Sequence, residues 1–181
     1  MGARGSVLLG TLALAALAAL PAATAARADD DAPFDPWRSL RKGDWVKLRS
    51  QQKDDLVVEQ VWRVTEATPD KVVYQVESTT IRAGGRRGKV NVSNPEIVPL
   101  EGEGAVPPPA ASSDPGAPER KKVTLEIAGR TLECTLMELT TKVAGRDVVT
   151  RVWSCPDVPF GIVKVETDGR VTQELVEFGR E

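Results

Sequence analysis

From Asp44 onward apolar and polar positions alternate with a period of two. Val46 and Leu48 alternate with Lys47 and Arg49, and Leu56, Val58, Gln60, Trp62 and Val64 alternate with Val57, Glu59, Val61 and Arg63. Past the Ala67-Thr68-Pro69-Asp70 turn, Val72, Tyr74 and Val76 repeat the pattern, and a short strand at 88–93 follows a Gly/Arg loop. Such β-branched and aromatic runs between turn residues predict antiparallel strands. Three two-residue turns organise the second half. Ala128-Gly129 sets Leu125 opposite Leu132 and Val123 opposite Cys134. Ala144-Gly145 sets Leu136 opposite Trp153, Glu138 opposite Arg151 and Cys134 opposite Cys155. Asp168-Gly169 joins 160–166 to 171–178. A single register satisfies these pairs, and a one-residue slip would move one strand's apolar set to the other face.

Ahead of the first strand, Asp35-Pro36 and Gly43 carry the start and stop signals of a helix, with Trp37 and Leu40 on one side, so one or two helical turns are expected at 36–42. The expected fold is therefore all-β: an antiparallel curved sheet or half-barrel of about eight strands with one short N-terminal helix.

Residues 1 to 28 break the alternation. They hold eleven Ala and six Leu, with Arg4 and Arg27 as their only charges. A basic start, an apolar stretch from Val7 to Leu20 and small residues up to Ala28 make a secretory signal, and an exported protein, periplasmic or extracellular, is expected. The remainder, 29–181, is expected to be a single β domain interrupted at about 101–121 by a Pro/Gly/Ala-rich loop with almost nothing to bury. No second apolar run is long enough to span a membrane.

The 181 residues carry 24 basic and 26 acidic side chains and no His. Without Arg4 and Arg27 the net charge falls from −2 to −4, which disfavours non-specific polyanion binding, so no specific nucleic-acid partner is expected. Lack of His removes the commonest general base and metal ligand, and triads that depend on it. Glu126 and Glu133, the nearest carboxylate pair, fall on the exposed side of their hairpin. No catalytic residue, metal or cofactor is expected.

Cys134 and Cys155 are the two cysteines. In an exported chain a pair placed side by side by the register is expected to form a structural disulfide; the C-x-x-C spacing of redox dithiols is absent. Trp37, Trp45, Trp62 and Tyr74 are candidates for lining a ligand pocket, against the plainer reading of aromatic residues as core. Arg82, Arg86, Arg87 and Lys89 form a candidate anion-binding loop, against the plainer reading of a solvated turn. The phosphate-loop pattern fails there, because Ala83 and Val90 occupy positions that need Gly and a hydroxyl. Asn91-Val92-Ser93 matches a glycosylation acceptor and is expected to stay unmodified.

Lys42-Gly43-Asp44-Trp45-Val46 and Trp153-Ser154 with Asp157-Val158-Pro159-Phe160-Gly161 and Val163-Lys164 resemble the opening and tail of a loose group of uncharacterised secreted bacterial β-rich proteins. More distantly, antiparallel strands with a helical cover resemble the half-barrel of periplasmic lipoprotein carriers, though the long helices that cover the carriers' concave face are missing. The first resemblance implies no activity, and the second implies fold alone. The expected function is non-catalytic binding of an apolar ligand or a cell-envelope partner on the concave face. A structural or assembly subunit without a ligand and a hydrolase using carboxylates alone are the alternatives.

Overall fold

The computed structural model describes residues 34–53, 56–101 and 120–181. The signal segment and most of the 101–121 loop lie outside the described residues. Ten strands form one open antiparallel sheet: β1 (Asp44–Lys53), β2 (Leu56–Ala67), β3 (Lys71–Arg82), β4 (Arg86–Val92), β5 (Glu96–Pro99), β6 (Arg120–Ile127), β7 (Arg130–Val143), β8 (Arg146–Ser154), β9 (Ile162–Thr167) and β10 (Arg170–Arg180). Their spatial order is β4-β3-β2-β1-β10-β9-β8-β7-β6, and β5 lies beside β4 along the outer edge of β3. The all-β antiparallel class stands, with ten strands in place of about eight.

The expected helix at 36–42 is absent. Asp35 does cap, its Oδ1 accepting the Trp37 and Arg38 amides at 3.0 and 3.3 Å. A single turn at Pro36–Ser39 follows and stops. Nucleating a helix costs more than one turn returns, and here the turn's side chains are pulled onto the sheet instead. The strap 34–43 covers one end of the core: Leu40 is buried, and Arg38 donates to the Leu100 carbonyl at 2.8 Å.

The three hairpins of the second half turn where the sequence places them. Ala128-Gly129, Ala144-Gly145 and Asp168-Gly169 each hold two successive positive φ values, 52° and 70°, 51° and 80°, and 51° and 76°, the geometry of type I′ turns, whose twist matches the flanking strands. The expected register holds for the pairs inside the ladders, but β8 ends at Ser154, so the expected Cys134–Cys155 pair lies beyond the ladder. Val123 faces Cys134, Leu125 faces Leu132, Leu136 faces Trp153 and Glu138 faces Arg151. The last pair forms an ion pair at 2.7 Å.

The first and last strands are joined by Gly43-Asp44. Gly43 donates to the Val64 carbonyl at 3.0 Å and accepts from the Glu181 amide at 2.9 Å. Asp44, buried, receives the Arg41 amide at 2.8 Å and Arg180 Nε at 2.5 Å. The Gly-Asp pair of the opening motif is thus a splice between the strap, β2 and β10. At Gly43, φ is +88° and an added Cβ would stand 2.7 Å from the Glu181 carbonyl oxygen. Gly43→Ala is expected to lower stability by roughly 1–3 kcal/mol, readable as a lower urea midpoint at unchanged slope. An unchanged midpoint would contradict this account of the splice.

The core joins Val46 and Leu48 of β1, Trp62 and Val64 of β2, Val72, Tyr74 and Val76 of β3, and Leu132, Cys134, Trp153, Cys155, Val163, Leu175 and Phe178 of the second half. Side chains of β6 also reach it: Val123, Leu125 and Ile127 are half-buried against the cluster. β6 is the far end of the strand order, yet the β6–β7 corner folds back toward β10, where the Arg130 guanidinium sits 4.8 Å above the Phe178 ring.

Candidate functional site: a groove beside a closed aromatic core

Of the four aromatic candidates, Trp37, Trp62 and Tyr74 come together, and Trp45 does not. Trp62 and Tyr74 stack with centroids 5.8 Å apart, Trp37 lies 5.7 Å from Tyr74, and Phe160 meets all three at 5.5–5.9 Å, edge-on to both tryptophans. Such tilted and edge-to-face contacts are the favourable arrangements for ring quadrupoles. The cluster is filled rather than hollow. Trp37 comes down from the strap, while Phe34 and Pro36 press on Gly161, where an added Cβ would lie 2.9 and 3.2 Å from them. Tyr74 donates to Glu96 Oε2 at 2.5 Å, and burial together with that carboxylate raises its pKa, so the phenol stays neutral. Trp62 Nε1 is buried without a hydrogen-bond partner among the described residues. Trp45 lies across Gly179 of β10, which has no side chain to obstruct the indole.

Phe160, which the sequence analysis left out of the pocket candidates, is placed by the tail motif. Cys155 donates to the Gly161 carbonyl at 2.8 Å, Gly161 donates to Val158 at 2.9 Å, and Val158 is buried. This tight loop holds Phe160 at φ 62° and Gly161 at φ 71°. A bulky residue at positive φ is costly, and the ring contacts of Phe160 offset that cost. The only sequence signal for it was the Pro-Phe-Gly bend.

The expected Cys134–Cys155 disulfide is not formed in the structure: both are buried free thiols, brought near each other but not to bonding distance. Burial first, then the neighbouring Cys155, pushes Cys134 up to about 12. A thiol held protonated this firmly is a poor nucleophile and a poor metal ligand.

The anion-binding candidates divide. Only Ala83–Gly85 forms a turn; Arg86, Arg87 and Lys89 belong to strand β4. Arg87 is ion-paired with Glu59, whose other oxygen takes Arg49 Nη2 at 2.9 Å, so it is occupied within the sheet. Arg82, Arg86 and Lys89 are exposed.

A groove missed by the sequence analysis opens where β6 folds back over β9 and β10. It has a volume of ≈ 380 Å³ and is lined by Leu125, Ile127, Val163 and Leu175, with Glu126, Lys164 and Glu174 among its polar groups. Lys164 is fixed from two sides, at 2.6 Å from Glu166 Oε1 and 4.7 Å above the Trp153 ring. Leu125 and Ile127 are half-buried and form its wall, whereas Val163 and Leu175 are buried in the core and form only its floor. Alternation put Leu125, Ile127, Val163 and Leu175 in strands, but only the fold-back brings them together. No family model, curated protein or solved structure matches the chain.

Proposed function

We propose that this chain is an exported, non-catalytic binding protein that takes an apolar ligand in the groove between β6 and β9–β10, on the inner side of a sheet curled toward a half-barrel. The observation that carries this reading is the groove: Leu125 and Ile127 of β6 stand over a floor of Val163 and Leu175, with Glu126, Lys164 and Glu174 at its polar margin. The alternative pocket, the aromatic cluster, is filled by its own rings. Export rests on the signal-like residues 1 to 28, and the non-catalytic reading on the lack of His.

Titration of the full chain with a fluorescent fatty-acid probe tests the proposal. Saturable binding, one probe per chain, is expected, and Ile127→Glu should weaken it about tenfold or more, because a carboxylate would then be buried against the apolar tail. Absent binding, or binding that Ile127→Glu leaves unchanged, would overturn the proposal.

Within the same reading, Cys134 and Cys155 close to a disulfide in an oxidising compartment, each thiol losing its hydrogen to a thiol oxidant there. The ring so formed is worth roughly 3 kcal/mol by chain entropy. Protein recovered from its host should be lighter by two hydrogens than its reduced form, and reduced protein should resist alkylation until unfolded. An unchanged mass would remove the disulfide from the account.

A further inference from the structure

The sheet ends at β4, and every residue of that strand is exposed. One edge of β4 pairs with β3; the other has no strand beside it among the described residues. A free strand edge presents unpaired backbone N–H and C=O groups, a template for one more strand. β4 has no proline within it, whereas its neighbour β5 is four residues long, follows Pro95 and ends in Pro99. The opposite end of the sheet differs, since alternate side chains of β6 are turned into the core.

The side chains at this edge fall into two groups. Val90, Val92 and Ile97 are 58, 56 and 63% exposed. Val90 and Val92 stand opposite Thr79 and Glu77 of β3, alternate positions that share one face, so these two form a patch, with Ile97 farther along the same edge opposite Val73. Toward the other end of β4, Arg86 and Lys89 carry no acidic partner among the described residues, and Arg82 faces Arg86 across the ladder. Charge at an edge discourages pairing between copies: a second chain would bring its own Arg86 and Lys89 to an end of the ladder where Arg82 already faces Arg86. The same cations favour a strand that supplies acids.

We infer that the free edge of β4 accepts an extended segment of a partner protein as an added strand, acidic where it passes Arg86 and Lys89 and aliphatic where it passes Val90 and Val92. Backbone hydrogen bonds supply affinity, and the two side-chain groups supply selectivity and direction. This surface is separate from the groove, and neither depends on the other.

The test uses the full chain and a synthetic extended peptide with Glu at one end and Val at the other, with the peptide that has Lys in place of Glu as control. Calorimetry should show saturable binding of the Glu peptide alone, and hydrogen exchange should show new protection of β4 amides on binding. Arg86→Glu with Lys89→Glu should weaken it by about tenfold or more while leaving the thermal midpoint within a degree or two, since both side chains are exposed. Val90→Thr with Val92→Thr should weaken it with the charges intact. No binding, equal binding of the two peptides, or binding without β4 protection would overturn the inference. So would anionic vesicles capturing the chain through Arg86 and Lys89 while the peptide fails, or sedimentation showing self-association through β4.

Discussion

Trp62→Ala is expected to remove about 3–5 kcal/mol, a large part of the roughly 5–15 kcal/mol that holds a small domain folded. Trp62 stacks on Tyr74, meets Phe160 edge-on and is buried. Its removal leaves a cavity against Tyr74 and Phe160, the two rings on which the strap residue Trp37 also packs. Trp62→Phe should behave differently. It keeps a ring in the stack and deletes the buried Nε1 donor, which has no acceptor among the described residues; an unsatisfied donor carries a desolvation cost of about 1–3 kcal/mol. The expected loss for Trp62→Phe is therefore under about 1.5 kcal/mol. Urea unfolding of the two variants separates these values, and equal losses would mean that the indole N–H is satisfied in solution or that the cluster relaxes freely.

Arg49→Met with Arg87→Met is the second large effect. Glu59 has a side chain only 7% exposed and is held between these two cations across β1, β2 and β4. Removing both leaves a buried carboxylate with no hydrogen-bonded cation and only the charge of Lys47 to offset it, at a cost approaching about 3–5 kcal/mol. Adding Glu59→Leu to the pair should recover most of the loss, because well-packed apolar groups replace buried ion pairs with little penalty. The Arg49 hydrogen bond, outweighing burial, holds the Glu59 carboxyl below its ordinary 4.5. A carboxyl whose folded pKa is depressed contributes its stability above the unfolded value and loses it as pH falls through the folded one. Wild-type stability should accordingly fall below about pH 4.5, and the triple variant should lack that portion of the fall. A triple variant no more stable than the double one would contradict this assignment.

The parts legible in the sequence are those fixed by neighbours along the chain. Ala-Gly and Asp-Gly turns need two positive φ values in succession, and glycine at the second position supplies one of them without strain, so three hairpins and their register followed from spacing alone. Parts settled by distant contacts were not legible. The strap 34–43 has helix signals but ends after one turn because Trp37 and Leu40 gain more from the sheet than from a second turn. β5 is too short and too proline-flanked to announce itself. Trp45 looked equivalent to Trp37 and Trp62 until β10 placed the side-chain-free Gly179 under it. Phe160 sits in a backbone region its side chain disfavours, so no local preference marks it. The candidate groove was invisible for a related reason: Leu125 and Leu175 are fifty positions apart, and β6 meets β9 and β10 only when the sheet folds back.

Native mass spectrometry of the full chain purified from its own host tests the proposed binding function most directly. The expected spectrum shows a mass increment from one apolar molecule per chain, released on mild collisional activation and absent from Ile127→Glu prepared in the same way. Wild-type protein at its bare mass, indistinguishable from the Ile127→Glu variant, would contradict the account.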